Sequence, residues 1–529
     1  MSGHWDLEAD VVVVGLGAAG ASAAIEAAET GANVVVLDRF NGGGATALSG
    51  GVVYAGGGTY FQQDAGYQDS PGAMFNYLRT EVDGAVSNET LLKFCQESIS
   101  MLDWLEDQGV PFDSSLCPFK TSYPTNDHYL YFSGSEQSFS DVAPPAPRGH
   151  RTYAKGTSGG HFYEKLLESV VRNGVMIKRQ TTAQRLITDN DGQVIGVECR
   201  TLTKTKLHQK LSKWAAKPLL YYPKLGRFLH KQALRLEAKY ATTFRVRARE
   251  GVILAAGGFI HNREMMDQHA PNHKGGLRLG TPGDDGSGIK LGVAVGAATG
   301  HMDSISVWRF ITPPAALTKG VLVGKDGRRV IEEGRYGAAI GDAIMDNHGG
   351  KAWLVVDKHI LREARRQVTS QTLWFQRLQT WYLLLSARKG LGRIDRAGFA
   401  ATMKEIGASK ELQEPYYLID CSVRPRVGFP APMLTLGGIV VDEETGQAKR
   451  EDGSAIPGLY AAGRNAVGIA SNSYVSGLSL ADCVFSGRRA GRHAAKSVPA
   501  GLRRVMTVDE PQREQLSAID EEVNWWRSI

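Results

Sequence analysis

Residues 8–38, EADVVVVGLGAAGASAAIEAAETGANVVVLD, restrict the fold more than any other stretch of this 529-residue chain. Four consecutive valines read as a strand buried on both faces, Gly15-x-Gly17-x-x-Gly20 as a tight turn, the alanine-rich run as a helix, and NVVVLD as a second buried strand. In that setting the glycines let the backbone approach a diphosphate, the helix N-terminus favours the anion, and an acid about 20 residues on, here Asp38, takes ribose hydroxyls. A parallel α/β sheet that binds a dinucleotide is therefore expected at the start of the chain.

The next residues choose between dinucleotides. Phe40-NGGGATALSGG-Val52 is a second glycine-rich loop carrying Thr46 and Ser49, able to lay N–H groups and hydroxyls along a second part of an extended ligand. FAD suits that arrangement better than NAD. Gly makes up 62 of 529 residues, above the usual share of about 7%, which implies many tight turns and close approaches of backbone to ligand. The five cysteines, Cys95, Cys117, Cys199, Cys421 and Cys483, contain no CxxC spacing. That argues against a disulfide framework, a zinc site or attached haem, and fits a reducing compartment. MSGHWDLEAD has no apolar signal region, and no run of about 18 apolar residues follows. The expected location is cytoplasmic, or peripheral on the inner face of the cell membrane.

Further along, residues 72–109 carry helical spacing with Leu91, Leu92, Phe94, Ile99, Leu102 and Leu105 facing inward. The aromatic stretch from Cys117 to Arg148, with Tyr123, His128, Tyr129, Tyr131 and Phe132, reads equally as a loop over a substrate or as an ordinary surface loop. VMIKRQTTAQRLITDNDGQVIGVECR predicts strands paired around the Asp191-Gly192 turn, and FRVRAREGVILAAGGFIHN a hairpin followed by a buried strand. A hairpin in GKDGRRVIEEGRYG is expected to deliver Tyr336 beside a loop. The division expected is 1–270 for the first part of a discontinuous Rossmann-type FAD-binding domain, 271–425 for a smaller α+β second domain, and 426–529 for the rest of the FAD domain and a tail.

Net charge is +6, but Lys204–Tyr240 alone holds ten Lys or Arg against Glu237, which leaves the remainder at −3. This insert, 203–241, mixes lysine with Trp214, Leu219, Leu220, Tyr221, Tyr222 and Phe228, the composition of a helix that lies on anionic lipid. A solvated excursion or a partner-binding arm is the competing reading. Nucleic acid is disfavoured because no binding motif accompanies the charge. WFQRLQTWYLLLSARKG from Trp374 reads as a helix packed inside the cap or as a second lipid contact.

Taken in order, GLGAAG, GGATALSGG, VILAAGG, TLGGIVVD and IPGLYAAG resemble the fumarate reductase and succinate dehydrogenase flavoprotein family, which includes the 3-ketosteroid dehydrogenases. The resemblance covers most of the chain outside the basic insert. It implies FAD under a capping domain, with cofactor contacts at Gly15, Gly17, Ala19, Gly20, Asp38, Arg39, Gly44, Ala45, Thr46, Ser49, Gly50, Gly51, Ala183, Ala256, Gly257, Asp285, Gly463, Arg464, Ser479 and Leu480. The loop lacks a histidine suited to covalent flavin attachment, so the FAD is expected to be noncovalent.

Fumarate-type members place an arginine in the loop after IPGLYAAG; that position here is Tyr474. Near GRRVIEE, where such enzymes place an arginine acid, this chain has Tyr336-Gly337, with Arg335 adjacent. A dicarboxylate has lost its partners. Tyr474-Val475-Ser476-Gly477 instead resembles the 3-ketosteroid Δ4-(5α)-dehydrogenase branch, which implies a steroid substrate and an external electron acceptor. Under that resemblance, a hydrogen-bond donor such as Tyr474, helped by an N–H of the Ser476–Leu478 turn, stabilises charge on the ketone oxygen. Tyr336 takes a C4 proton through Ser476 or another tyrosine, and a hydride leaves C5 for flavin N5. The roles of Tyr336 and Tyr474 are interchangeable at this level. The Δ1-dehydrogenases and an ene-reductase working on a planar enone are the alternatives.

Overall fold

The structure is a computed structural model that describes residues 4–498 apart from 83, 203–205, 222, 274 and 425–427. Side chains of 216–223 are also outside the description, so the positions expected for Leu219, Leu220, Tyr221 and Tyr222 lie outside the described residues, as does the tail beyond 498.

The first unit follows directly from the valine runs. Strand β1 (Leu7–Val14), helix α1 (Ala18–Glu29) and strand β2 (Val34–Leu37) form a βαβ unit in which Val11 pairs with Val34 and Val14 with Leu37, all parallel. Alanines of α1 are small enough to let it lie between helix α2 (Gly159–Arg172) and a C-terminal helix. Strand β3 (Met176–Lys178) adds beside β2, also in parallel. Strands β4 (Thr181–Thr188) and β5 (Val194–Thr201) then form the expected antiparallel pair. Helices α3 (Lys206–Tyr221) and α4 (Pro223–Tyr240) of the basic insert pack on each other.

After the insert the expected hairpin is absent. Thr242–Leu254 is one 13-residue strand, β6. Thr242–Arg247 pair antiparallel with β5, and Val246–Leu254 run parallel to β1. The Arg249-Glu250-Gly251 sequence that reads as a turn is a β-bulge: Ala9 pairs with Ala248 but Val11 with Gly251, so one extra residue is accommodated on β6. The bulge turns the strand without ending it, because both of its edges have partners to satisfy. Along 72–109 the helical reading holds with two differences, since Leu92 is exposed and Ile99 only half-buried.

The cap contributes strands β7 (Ile305–Val307) and β8 (Val321–Val323), helix α5 (Gly337–His348), strand β9 (Trp353–Val356), helix α6 (Trp374–Leu385) and strands β10 (Tyr417–Asp420) and β11 (Pro432–Thr435). β8, β9 and β10 lie side by side in one antiparallel sheet, and β11 pairs with β7 in another. A bridge between Val323 and Arg329 closes the hairpin that leads to Tyr336, the N-cap of α5. Strands β12 (Gln447–Lys449) and β13 (Ala455–Ala461) return to the first sheet, giving the order β12-β13-β6-β1-β2-β3, and helix α7 (Leu478–Ala494) packs on α1.

Close backbone contact sets the geometry of the turn after β1. Gly15 has φ +105°, and a Cβ there would sit 2.4 Å from the Ala255 carbonyl oxygen; one on Gly20 would sit 2.0 Å from the Gly15 oxygen. Gly20→Ala should therefore force the turn apart and cost about 1–3 kcal/mol, read as a lowered Tm of the FAD-free protein. An unchanged Tm would show that the turn has slack.

Candidate active site

One cleft of about 930 Å³ runs from the β1–α1 turn to the cap. At its dinucleotide end the wall is Gly15, Gly17, Ala19, Asp38 and Arg39, with Gly44, Ala45, Thr46, Ser49, Gly50 and Gly51 from the second loop. Ala183, Ala256, Gly257, Arg464, Ser479 and Leu480 complete it from later strands and from α7. Thr46 Oγ1 accepts the Ala18 N–H at 2.9 Å, so the second loop is fastened to the start of α1. Asp38 accepts the N–H groups of Leu16, Phe40 and Gly42 at 3.0, 2.8 and 3.0 Å, and burial pushes its carboxyl above its ordinary range in spite of them. The residues present fit an extended anionic dinucleotide: open glycine backbone beside a helix N-terminus, and a carboxyl at the end of β2.

Three expected contacts sit elsewhere. Gly20 is packed against the Gly15 carbonyl behind the turn. Gly463 donates its N–H to Ser486 Oγ at 2.9 Å, and its α-carbon faces Ala19 from behind the wall. Asp285 is turned to Arg39, whose Nη1 it meets at 2.9 Å. The adjacent acid, Asp284, pairs with Arg464 on the wall.

At the other end the cleft becomes aromatic. Tyr474, Ser476 and Tyr336 all line it, with Trp308, Phe310, Leu434 and Phe429. Tyr474 lies on Trp308 with centroids 5.0 Å apart and planes 15° from parallel, and its ring is 6.2 Å from that of Tyr336. Phe310 abuts Tyr336 edge-on at 5.6 Å. Ser476 is a junction: Tyr131 OH is 3.0 Å from its Oγ, Ser133 Oγ donates to its carbonyl at 3.0 Å, and its hydroxyl is near enough to the Tyr336 phenol to pull against the rise in that phenol's pKa. Gly477, at φ +91°, turns the chain into α7.

Burial controls the protonation of these phenols. It raises Tyr474 to about 12 although the Gly477 N–H and Arg464 pull the other way, and it raises Tyr336 well above its ordinary value, with the neighbouring phenols Tyr474 and Tyr131 adding to the effect. Tyr131 is raised as well, again chiefly by burial. All three are neutral donors near neutral pH.

The arginine that could still have held a carboxylate does not face the cleft. Arg335 points to Glu81 at 3.6 Å and covers the ring of Phe139. Arg309 is buried among the carbonyls of Ser422, Phe429 and Pro430. Neither belongs to the cleft wall.

The 117–148 stretch serves both of its readings. Ser122 and Tyr123 are on the wall, with Tyr123 OH donating to the Gly50 and Gly156 carbonyls at 2.8 and 3.1 Å. His128, Tyr129 and Phe132 pack against Phe119, Tyr153 and Tyr67. Sequence reasoning gave little weight to Tyr131 and did not single out Trp308 or Phe310. Tyr131 had no local signal, because its partner is 345 positions away. The alternating Ile305–Phe310 run, ISVWRF, was the signal for the other two.

Comparison with known proteins identifies the family. The FAD-binding domain family matches residues 10–480. A 3-oxo-5-alpha-steroid 4-dehydrogenase of Comamonas testosteroni is 38% identical over 87% of this chain and 93% of its own length. The crystal structure of a 3-ketosteroid-Δ4-(5α)-dehydrogenase from Rhodococcus jostii RHA1, in complex with 4-androstene-3,17-dione, superposes with a TM-score of 0.77 at 31% identity, covering 94% of this chain and 99% of the other. A 3-oxosteroid 1-dehydrogenase of Comamonas testosteroni is 23% identical over 88% of the chain and 93% of its own length.

A buried phenol raised to about 12 is stabilising while neutral and loses that contribution once the unfolded chain ionises, near pH 10. Tyr474→Phe should therefore flatten the fall of Tm between pH 10 and about 12 relative to wild type. Parallel pH curves for the two proteins would refute the shift. By its sequence match, its fold and the phenol-lined end of its cleft, the chain belongs to the FAD-binding flavoprotein family, in the branch of the 3-oxo-5α-steroid 4-dehydrogenases.

Proposed function

We propose that the protein introduces the C4–C5 double bond into a 5α-3-ketosteroid, and that Tyr474, Ser476 and Tyr336 carry the chemistry. The single observation behind the residue assignment is the junction at Ser476, which joins Tyr131 and Tyr336 within a ring contact of Tyr474. Trp308, Phe310, Leu434 and Phe429 offer a flat, uncharged surface suited to a steroid ring system.

A C4 hydrogen beside the C3 ketone is acidic only while charge on the ketone oxygen is stabilised. Tyr474 holds its proton to about pH 12 and can donate it to that oxygen, with the Gly477 N–H beside it. Tyr336 takes the C4 proton while its own hydroxyl proton moves to Ser476, which Tyr131 holds in place, and bulk water at the mouth of the cleft is the final acceptor of the proton released. Raised phenol pKa values favour this concerted transfer over a standing tyrosinate. Noncovalent FAD, when bound, accepts the hydride from C5, and an external acceptor then reoxidises it. Trp308 keeps the Tyr474 ring from rotating, and the aromatic wall excludes the water that would weaken its hydrogen bond.

Tyr474→Phe and Ser476→Ala should each lower kcat/KM for a 5α-3-ketosteroid by about 100-fold to 1,000-fold. The assay is anaerobic bleaching of the bound flavin, followed by identification of the product. Wild-type turnover in both variants would overturn the assignment, and a C1–C2 alkene would overturn the regiochemistry.

Membrane contact is a separate part of the proposal. No helix among the described residues is long and apolar enough to cross a membrane. Trp214, Leu225 and Phe228 on the outer side of the insert are exposed, however, and α6 is two-faced. Phe375, Gln376, Gln379, Thr380 and Leu383 line the cleft, while Trp374, Leu378, Trp381, Tyr382 and Leu385 form an exposed stripe. Arg365, Arg366, Arg388 and Lys389 are exposed on the flanking segments. Such a surface suits shallow burial in an anionic bilayer from which a sterol could enter the cleft. Sedimentation with phosphatidylglycerol vesicles at low salt should carry the wild type down and leave Leu378→Glu/Leu385→Glu in solution. Wild-type protein wholly in the supernatant would remove this part.

A further inference from the structure

The basic insert has an inner side that membrane contact does not explain. Lys206, Gln209, Lys210, Ser212 and Lys213 fall at positions i, i+3, i+4, i+6 and i+7 of α3, one face of a helix, and all five stand on the wall of the cleft. They belong to its dinucleotide end. Asn41 Nδ2 donates to the Gln209 carbonyl at 3.4 Å, Gln209 Nε2 donates to Gln180 Oε1 at 3.3 Å, and Gln180 Nε2 donates to the Phe40 carbonyl at 2.7 Å.

A second set of contacts fastens the hairpin from α4. Glu237 takes Arg39 through Nε and Nη2 at 3.3 and 3.0 Å, and lies 2.9 Å from His208 Nε2. Between them Phe40 stacks on His208, with centroids 6.1 Å apart and planes 11° from parallel, and meets the edge of His230 at 6.0 Å. The insert is thus clasped to Arg39–Asn41, the residues that follow the carboxyl at the end of β2. Its partly buried carboxylate shared by two donors is a charge-assisted arrangement, about twice as strong as a neutral one.

The connection itself needs none of this. Thr201 of β5 and Thr242 of β6 are cross-strand partners, so the chain leaves and re-enters the sheet at one point that a two-residue turn could close. The hairpin is a graft on that point, laid over the cleft.

We propose that α3 and α4 form a lid over the adenosine end of the FAD site. Glu237 is its latch, a positioning residue, and Lys206, Lys210 and Lys213 set cations against the anionic dinucleotide. The inference rests on the assignment of FAD to this cleft. With the lid latched the dinucleotide leaves only after Glu237 parts from Arg39 and His208, so the noncovalent cofactor is retained by a slow opening step.

The test is the rate at which flavin fluorescence returns when purified holoenzyme is diluted, with the FAD Kd measured on reconstituted apoprotein. Glu237→Gln should release FAD about tenfold faster, and Glu237→Asp should restore part of the wild-type rate. Lys206→Ala/Lys210→Ala/Lys213→Ala should raise Kd by about tenfold or more and remove most of its salt dependence. Replacing 202–241 by Asn-Gly should give the fastest release. Wild-type release and Kd in both the Glu237→Gln and triple-lysine proteins would overturn the lid. Enzyme isolated with no flavin and unable to take it up would instead overturn the cofactor assignment beneath it.

Discussion

Everything in the molecule hangs from the near-contact of two stretches of backbone, the Gly15–Gly20 turn and the end of β6 at Ala255–Gly257. With a Cβ of Gly15 only 2.4 Å from the Ala255 oxygen, no side chain fits between them, and the two central strands of the sheet end at the same level. The cleft begins there. Asp38 and the second glycine loop are then arranged around one edge of that level, tied to it by the backbone N–H groups of Leu16 and Ala18.

From this edge the cleft passes into a region where charge is replaced by aromatic surface. On the proposed assignment, the chemistry there depends on groups that stay neutral. With Arg335 and Arg309 turned away from the aromatic end, no electrostatic grip on substrate comes from them, and burial raises the phenols so that they remain protonated donors. A neutral ketone needs a donor only as its oxygen gains charge, so a weak, dry, well-aligned phenol discriminates for the transition state better than a permanent cation would.

The βαβ start and the strand pair around Asp191-Gly192 were legible because their signals are local: glycine spacing, valine runs and a turn dipeptide. Tyr474 and Ser476 were legible through a resemblance, as substitutions in a recognisable loop. The continuous β6 was not, because Arg249-Glu250-Gly251 looks like a turn until the partners on both edges are known. For the same reason the insert read as a detached basic arm: its latch pairs Glu237 with Arg39, 198 residues apart, and composition carries no trace of such a pairing. The two faces of α6 were likewise hidden, since Phe375 and Trp374 are equally apolar and only the cleft tells them apart.

Tyr336 begins a helix of the cap, while Tyr474 and Ser476 precede a helix of the cofactor-binding sheet. The proposed proton-handling set is therefore divided between the cap and the cofactor-binding sheet. On the proposed assignment, any hinge motion that lifts the cap to admit substrate would pull Tyr336 off Ser476 and dismantle the relay. Under that assignment oxidation would be confined to the shut state, with the steroid itself filling the seam, and an open enzyme would be chemically idle however fully loaded with cofactor.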